Sequence, residues 1–113
     1  MFYYYKGKCL KVIDGDTINV EIDLGFKIYI NKNVRLAYIN ACEMNSNDEG
    51  DRLIAKKAKE YLENKVLNKH VYLEVLSLDK YSRPVAVVKL LDHLNTDLSK
   101  DLLLRGFAVP YKA

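Results

Sequence analysis

With 113 residues, half of them apolar and 29% charged, the chain can fill one core and not two, so a single domain over residues 1–113 is expected. No apolar run approaches the roughly 18 residues of a membrane span, and the opening Met-Phe-Tyr-Tyr-Tyr-Lys-Gly-Lys lacks the regions of a signal peptide; a cytoplasmic protein with no membrane partner is expected. The net charge of +3 lies wholly in residues 57–113 (ten Lys/Arg against seven Asp/Glu, compared with eight and eight before), short of the basic excess of an obligate DNA binder but compatible with an acidic pocket facing a polyanion.

Lys8 to Ile13 and Thr17 to Ile22 are β-rich runs on either side of Asp14-Gly15, a hairpin signal because glycine accepts the positive φ of tight turns. The turn explains Asp14 and Gly15 but not Asp16, which is either an exposed acid at a strand start or a ligand. After a break at Leu24-Gly25, Phe26 to Ile30 reads as extended, Asn31-Lys32-Asn33 as an interruption, and Val34 to Ile39 as a strand. Alternation puts Val34, Leu36 and Tyr38 on one face and Arg35 and Ile39 on the other. A mid-strand Arg35 needs solvent or an anion. Asn40-Ala41-Cys42-Glu43 reads as a loop in which Asn40 and Glu43 can converge with Asp16, giving oxygen ligands beside a guanidinium. A hard cation and a phosphodiester need that combination in one place.

Ser46 to Glu49 offers a capping box to a helix whose apolar stripe runs through Ile54, Ala58, Tyr61 with Leu62, and Val66, with Gly50 weakening its first turn. Val71 to Leu78 and Val85 to Leu91 read as strands around the turn Asp79-Lys80-Tyr81-Ser82-Arg83-Pro84. That turn presents Tyr81 as a face for a base and Arg83 as a fork for phosphate, or is simply a polar loop. Leu98 to Leu104 forms a second short helix ended by Gly106. Cys9 and Cys42, with His70 and His93, show neither a disulfide framework nor zinc spacing. Five strands with a helix after the third give an α+β, mainly β, fold: a five-stranded OB-type barrel with two helices.

Asp-Gly-Asp-Thr at 14–17, Arg-Leu-x-x-Ile-Asn-Ala-x-Glu at 35–43, Asp-Lys-Tyr-x-Arg at 79–83 and Leu-x-x-Gly-x-Ala at 103–108 stand in an order and spacing that resembles the staphylococcal nuclease (thermonuclease) family. The resemblance spans about Lys8 to Tyr111. It implies a calcium-dependent nuclease on an OB-fold, acting as a monomer on DNA or RNA by cutting the 5′ P–O bond and leaving 3′-phosphate ends. By position, it implies Asp16, Asn40 and the carbonyl of Ala41 as calcium ligands, and Arg35 and Arg83 as phosphate-binding arginines. Glu43 is implied as the group that aligns or deprotonates water, and Lys80, Tyr81 and Tyr111 as nucleotide contacts. Asn40 replaces an aspartate and Ala41-Cys42 replace Thr-Pro, so weaker calcium binding and a looser Glu43 are expected, and a cytoplasmic or phage-type relative fits better than a secreted enzyme. The alternative is an OB module that binds nucleic acid or protein without cutting; its sign would be loss of an arginine or of the glutamate, and neither is lost.

Overall fold

The computed structural model describes residues 3–111. Its elements in chain order are β1 (Tyr3–Asp14), β2 (Thr17–Asp23), β3 (Tyr29–Leu36), β4 (Ile39–Ala41), α1 (Glu49–Val66), β5 (His70–Leu78), β6 (Pro84–Leu90), β7 (His93–Asp97), α2 (Leu98–Leu104) and β8 (Ala108–Pro110). The main sheet runs β3-β2-β1-β5-β6-β7, and a parallel pairing of Arg35 with Val85 and Leu36 with Ala86 joins β3 to β6. Five strands therefore close into the expected OB-type barrel, with β7 appended to β6. Closure removes the open edges of the five-stranded set. Among the described residues no helix is long and apolar enough to cross a membrane.

The strands close because their inward positions alternate. Ile18, Val20 and Ile22 of β2 face Val34 and Leu36 of β3, Val71 and Leu73 of β5, and Ala86, Val88 and Leu90 of β6 in one core. Helix α1 contributes Leu62 and Val66 to it, and α2 adds Leu98 and Leu102. Each such fully buried aliphatic side chain contributes about 1.5–3 kcal/mol of transfer free energy. The hydroxyl of Tyr61 on α1 donates to Asp101 Oδ2 on α2 at 2.6 Å, tying the helices together.

Several expectations are corrected. The first strand begins at Tyr3, not Lys8, and pairs with β5 from Tyr3↔Val75 to Lys8↔His70. Asn31-Lys32-Asn33 does not interrupt β3, because Asn19 Nδ2 donates across the strands to Asn31 Oδ1 at 2.7 Å and Asn33 Oδ1 at 2.9 Å, so the amides satisfy one another. The expected break at Leu24-Gly25 is present but runs on through Phe26 and Lys27, which read as extended in the sequence: Gly25, Phe26 and Lys27 all take positive φ, leaving Phe26 95% exposed at the tip of the β2–β3 hairpin. Strand β3 ends at Leu36; Tyr38 takes φ 69°, the alternation is lost, and Ile39 is buried while Tyr38 is exposed. Asn40 and Ala41 belong to β4, which pairs antiparallel with β8. The buried row of α1 is Ala55, Ala58, Leu62 and Val66, with Ile54 lying to its side and 39% exposed. Its N-cap is Asp48, whose Oδ1 accepts from the N–H of Gly50 at 2.7 Å and of Asp51 at 3.2 Å, so no Ser46 capping box forms. The second helix matches its expected span, and Gly106 follows it at φ 76°.

Candidate functional site

The turn between β1 and β2 carries two carboxylates on a short connection. Asp16 N–H donates to Asp14 Oδ1 at 3.1 Å, and Thr17 Oγ1 donates to Asp16 Oδ1 at 3.1 Å. Gly15 does not adopt a positive φ, contrary to the sequence argument. It is needed for room: a Cβ there would stand 2.8 Å from Ala58 Cβ on α1 and 3.0 Å from Ala41 Cβ on β4. Asp16 is only 9% exposed. The bland reading of an exposed strand-start acid fails, because β3 and β4 cover it.

Register explains what covers it. Thr17 pairs with Arg35, and Leu36 N–H donates to Asp16 O at 2.8 Å, so the end of β3 lies against the turn. Arg35 Nη1 reaches Asp16 Oδ2 at 3.2 Å, and Arg35 Nη2 donates to Asn40 Oδ1. Ala41 N–H donates to the same Asp16 Oδ2 at 2.9 Å. The structure thus brings Asp16, Arg35, Asn40 and Ala41 together. Burial, and then the neighbouring Asp16, push the Asp14 carboxyl up to about 6.

The second half of the site is the β5–β6 turn. Asp79 Oδ1 accepts from the N–H groups of Tyr81 and Arg83, both at 2.9 Å, and Asp79 Oδ2 holds Arg83 Nε at 2.7 Å. Burial works to raise the pKa of Asp79, but the backbone N–H and guanidinium of Arg83 together with the Tyr81 N–H outweigh it and hold the carboxyl below its ordinary range. Lys80 Nζ and Arg83 Cζ lie 5.2 and 5.6 Å from the centroid of the exposed Tyr81 ring. Asp79 is the residue that sequence reasoning did not assign; its signal was an acid four positions before Arg83 in a tight turn.

Both halves open onto one groove of about 810 Å³, whose lining includes Arg35, Asn40, Lys80, Tyr81, Arg83 and Tyr111. Tyr111 is placed there by its N–H, which donates to Tyr38 O at 2.8 Å where β8 passes β4. Two guanidiniums, a lysine and three tyrosines (Tyr38, Tyr81 and Tyr111) line one groove with apolar side chains between them, a set of groups able to bind a phosphodiester flanked by bases. Asp16 and Ala41 do not line the groove and lie behind Arg35. Glu43 is exposed on the loop after β4; its carbonyl accepts from Ser46 N–H at 3.2 Å, and its side chain has no hydrogen bond among the described residues.

The side-chain oxygens that could hold a metal are those of Asp14, Asp16 and Asn40, with the backbone of Ala41 tied to Asp16 through its N–H. This hard, irregular donor set suits a larger cation such as calcium. Among the described residues there is no group of three His, Cys, Asp or Glu side chains able to hold a metal, so any such site depends on amide and backbone oxygens.

Residues 33–113 match the model of the family described as staphylococcal nuclease homologue. A protein of Schizosaccharomyces pombe named as a probable endonuclease is 35% identical over 83 residues, which cover 70% of this chain and 36% of that protein. The chain thus spans about a third of the length of this curated relative.

Proposed function

The chain belongs to the family of staphylococcal nuclease homologues, and from that premise we propose that it is a calcium-dependent nuclease that hydrolyses phosphodiester bonds of DNA or RNA and leaves 3′-phosphate ends. The observation that carries this reading is the opening of Arg35 and Arg83 onto one groove between Tyr81 and Tyr111. In it, the two guanidiniums bind the non-bridging phosphate oxygens and neutralise charge that grows as water adds to phosphorus and the 5′ oxygen departs. Tyr81 and Tyr111 orient the flanking nucleosides, and Lys80 holds a neighbouring phosphate. Glu43, on its exposed loop, aligns the water or takes its proton. Asp16, Asn40 and the carbonyl of Ala41 would hold the calcium, which when bound supplies Lewis-acid polarisation of the phosphate.

A second reading, an OB module that binds nucleic acid without cutting it, is favoured by a specific observation. Arg35 already engages both Asp16 and Asn40, the side-chain oxygens a cation would use. Incubation with single-stranded DNA, plasmid and RNA, each with calcium or with EDTA, separates the two. Calcium-dependent fragments bearing 3′-phosphates are the expected result. Cleavage that persists in EDTA would remove the metal from the reading, and retention of the DNA with no cleavage in calcium would favour the binding module.

A further inference from the structure

The outer face of the barrel does not end at the groove. Arg35, Val85 and Ser77 form one row across β3, β6 and β5. Farther along β5 and β6 on the side that alternation turns away from the core, Glu74 pairs with Val87, itself only 9% exposed, and Tyr72 with Lys89, and on β1 Tyr4 pairs with Glu74, Lys6 with Tyr72, and Lys8 with His70. Val85 and Lys89 are four residues apart, so this second row lies about 13 Å from the first at the rise of a strand. There Tyr4 and Tyr72 stack, with ring centroids 6.0 Å apart and planes at 30°, and Tyr4 is 56% exposed.

Cations surround that stack. Lys6, Tyr72 and Lys89 make one cross-strand row, and Lys8 and His70 make the next. The acids that could cancel them are Glu74 on the path itself, Glu21 and Asp23 opposite Lys8 and Lys6 on β2, and Asp97 opposite Lys89 on β7. Asp97 is committed to capping α2, accepting from Ser99 N–H at 2.9 Å. Among the described residues, none of Lys6, Lys8 and Lys89 lies within ion-pair distance of an acid. Stacking surfaces bordered by lysines on an extended sheet face are how folds of this kind hold single strands.

We propose that a single nucleic-acid strand leaving the Arg35–Arg83 groove continues over the outer face of β6, β5 and β1, where Tyr72 and Tyr4 stack its bases and Lys6, Lys8 and Lys89 meet its phosphates. The occupant is single-stranded because an intact duplex hides its base faces, whereas the stacked tyrosines present only ring surface. The inference rests on reading the groove as a nucleic-acid site, and it makes the protein a reader of strand length: a substrate confined to the groove gains nothing from this platform.

Fluorescence anisotropy in EDTA with the full chain tests it, using a labelled thymidine dinucleotide and an oligothymidylate of about 12 nucleotides, within the ~4–16 that one such fold covers. The native protein should bind the longer strand more tightly. Tyr4→Ala with Tyr72→Ala should weaken that binding by about 30-fold or more, since each of the two stacked bases is worth ~1–3 kcal/mol, and leave the dinucleotide unchanged; the corresponding Phe variants should retain it. Lys89→Ala should lower the salt slope by about one unit, and Glu74→Gln should tighten the long strand. Equal long-strand affinity in the native and double-Ala proteins, with native circular dichroism, would overturn the platform while leaving the groove reading intact. Failure of the native protein to bind either strand would overturn the groove reading and the platform with it.

Discussion

Both arginines of the groove are held by an aspartate, but the two pairs are built differently. Arg83 and Asp79 are four residues apart in one turn, their side chains 36% and 20% exposed, and the turn makes the pair without help from the barrel. Arg35 and Asp16 are nineteen residues apart, 15% and 12% exposed, and meet only because β2 and β3 pair and the sheet closes. One guanidinium is therefore positioned by local chemistry and the other by the whole fold. A site with one half fixed by the core and the other by a surface turn can hold a rigid reference point and still adapt to the substrate at its rim.

The largest effects should erase this difference, because the proposed mechanism uses both guanidiniums. Arg35→Ala and Arg83→Ala should each lower the rate of DNA cleavage by about 10²–10³-fold, as loss of a donor to a developing oxyanion does, measured at saturating calcium. If either variant kept near-native turnover, that arginine would not touch the reacting phosphate. Calcium affinity sharpens the contrast next. Asn40→Asp should tighten calcium by roughly tenfold in calorimetry, since the added carboxylate at ligand distance is largely offset by its desolvation and by its attraction to Arg35. Unchanged or weaker binding would place the metal away from Asn40.

Stability should then separate the pairs directly. Arg35→Ala leaves the Asp16 carboxylate with less compensation in a mostly buried place and should cost about 1–3 kcal/mol in urea unfolding, whereas Arg83→Ala should cost less than about 1 kcal/mol. Equal losses would show that the buried pair draws no advantage from burial. The smallest effect is expected at the rim. Asp79→Asn should raise KM about three- to tenfold with kcat nearly kept, because it frees Arg83 without removing it. Acid should act in the same direction: the Asp79 carboxyl is held below its ordinary range, so the tether is present above that range and is lost as pH falls through the folded value.

Legibility in the sequence followed the same divide. The turn at 79–83 and the span of α2 could be read from neighbouring residues, because caps and turns are local. The Asp14-Gly15 turn was legible as a turn, yet the reason for its glycine was not, since the clearance it provides involves Ala41 and Ala58, far along the chain. Strands β4 and β8, three residues each, are too short to show a period, so Asn40 and Ala41 read as loop. Asn31 and Asn33 looked like breakers because their partner, Asn19, is on another strand. For the site, the convergence of Asp16 with Asn40 could be anticipated from motif spacing, and both meet through Arg35. Glu43 is expected to converge with them as well, but no hydrogen bond or ion pair among the described residues joins its side chain to Asp16 or Asn40, and it stays exposed on its loop, whose path no local pattern fixes.

The missing Cβ at Gly15 carries a mechanical consequence. With Ala58 and Ala41 pressed against it, the acidic turn has no clearance in which to move independently of α1. The helix works as a depth stop for the carboxylates, so a bulkier side chain at the fully buried position 58 would displace Asp14 and Asp16 as surely as a change in the turn itself. Deuterium uptake should register this coupling, with the amides of Asp16 and Thr17 exchanging in step with those of α1 rather than with the freely exposed turn at 79–83.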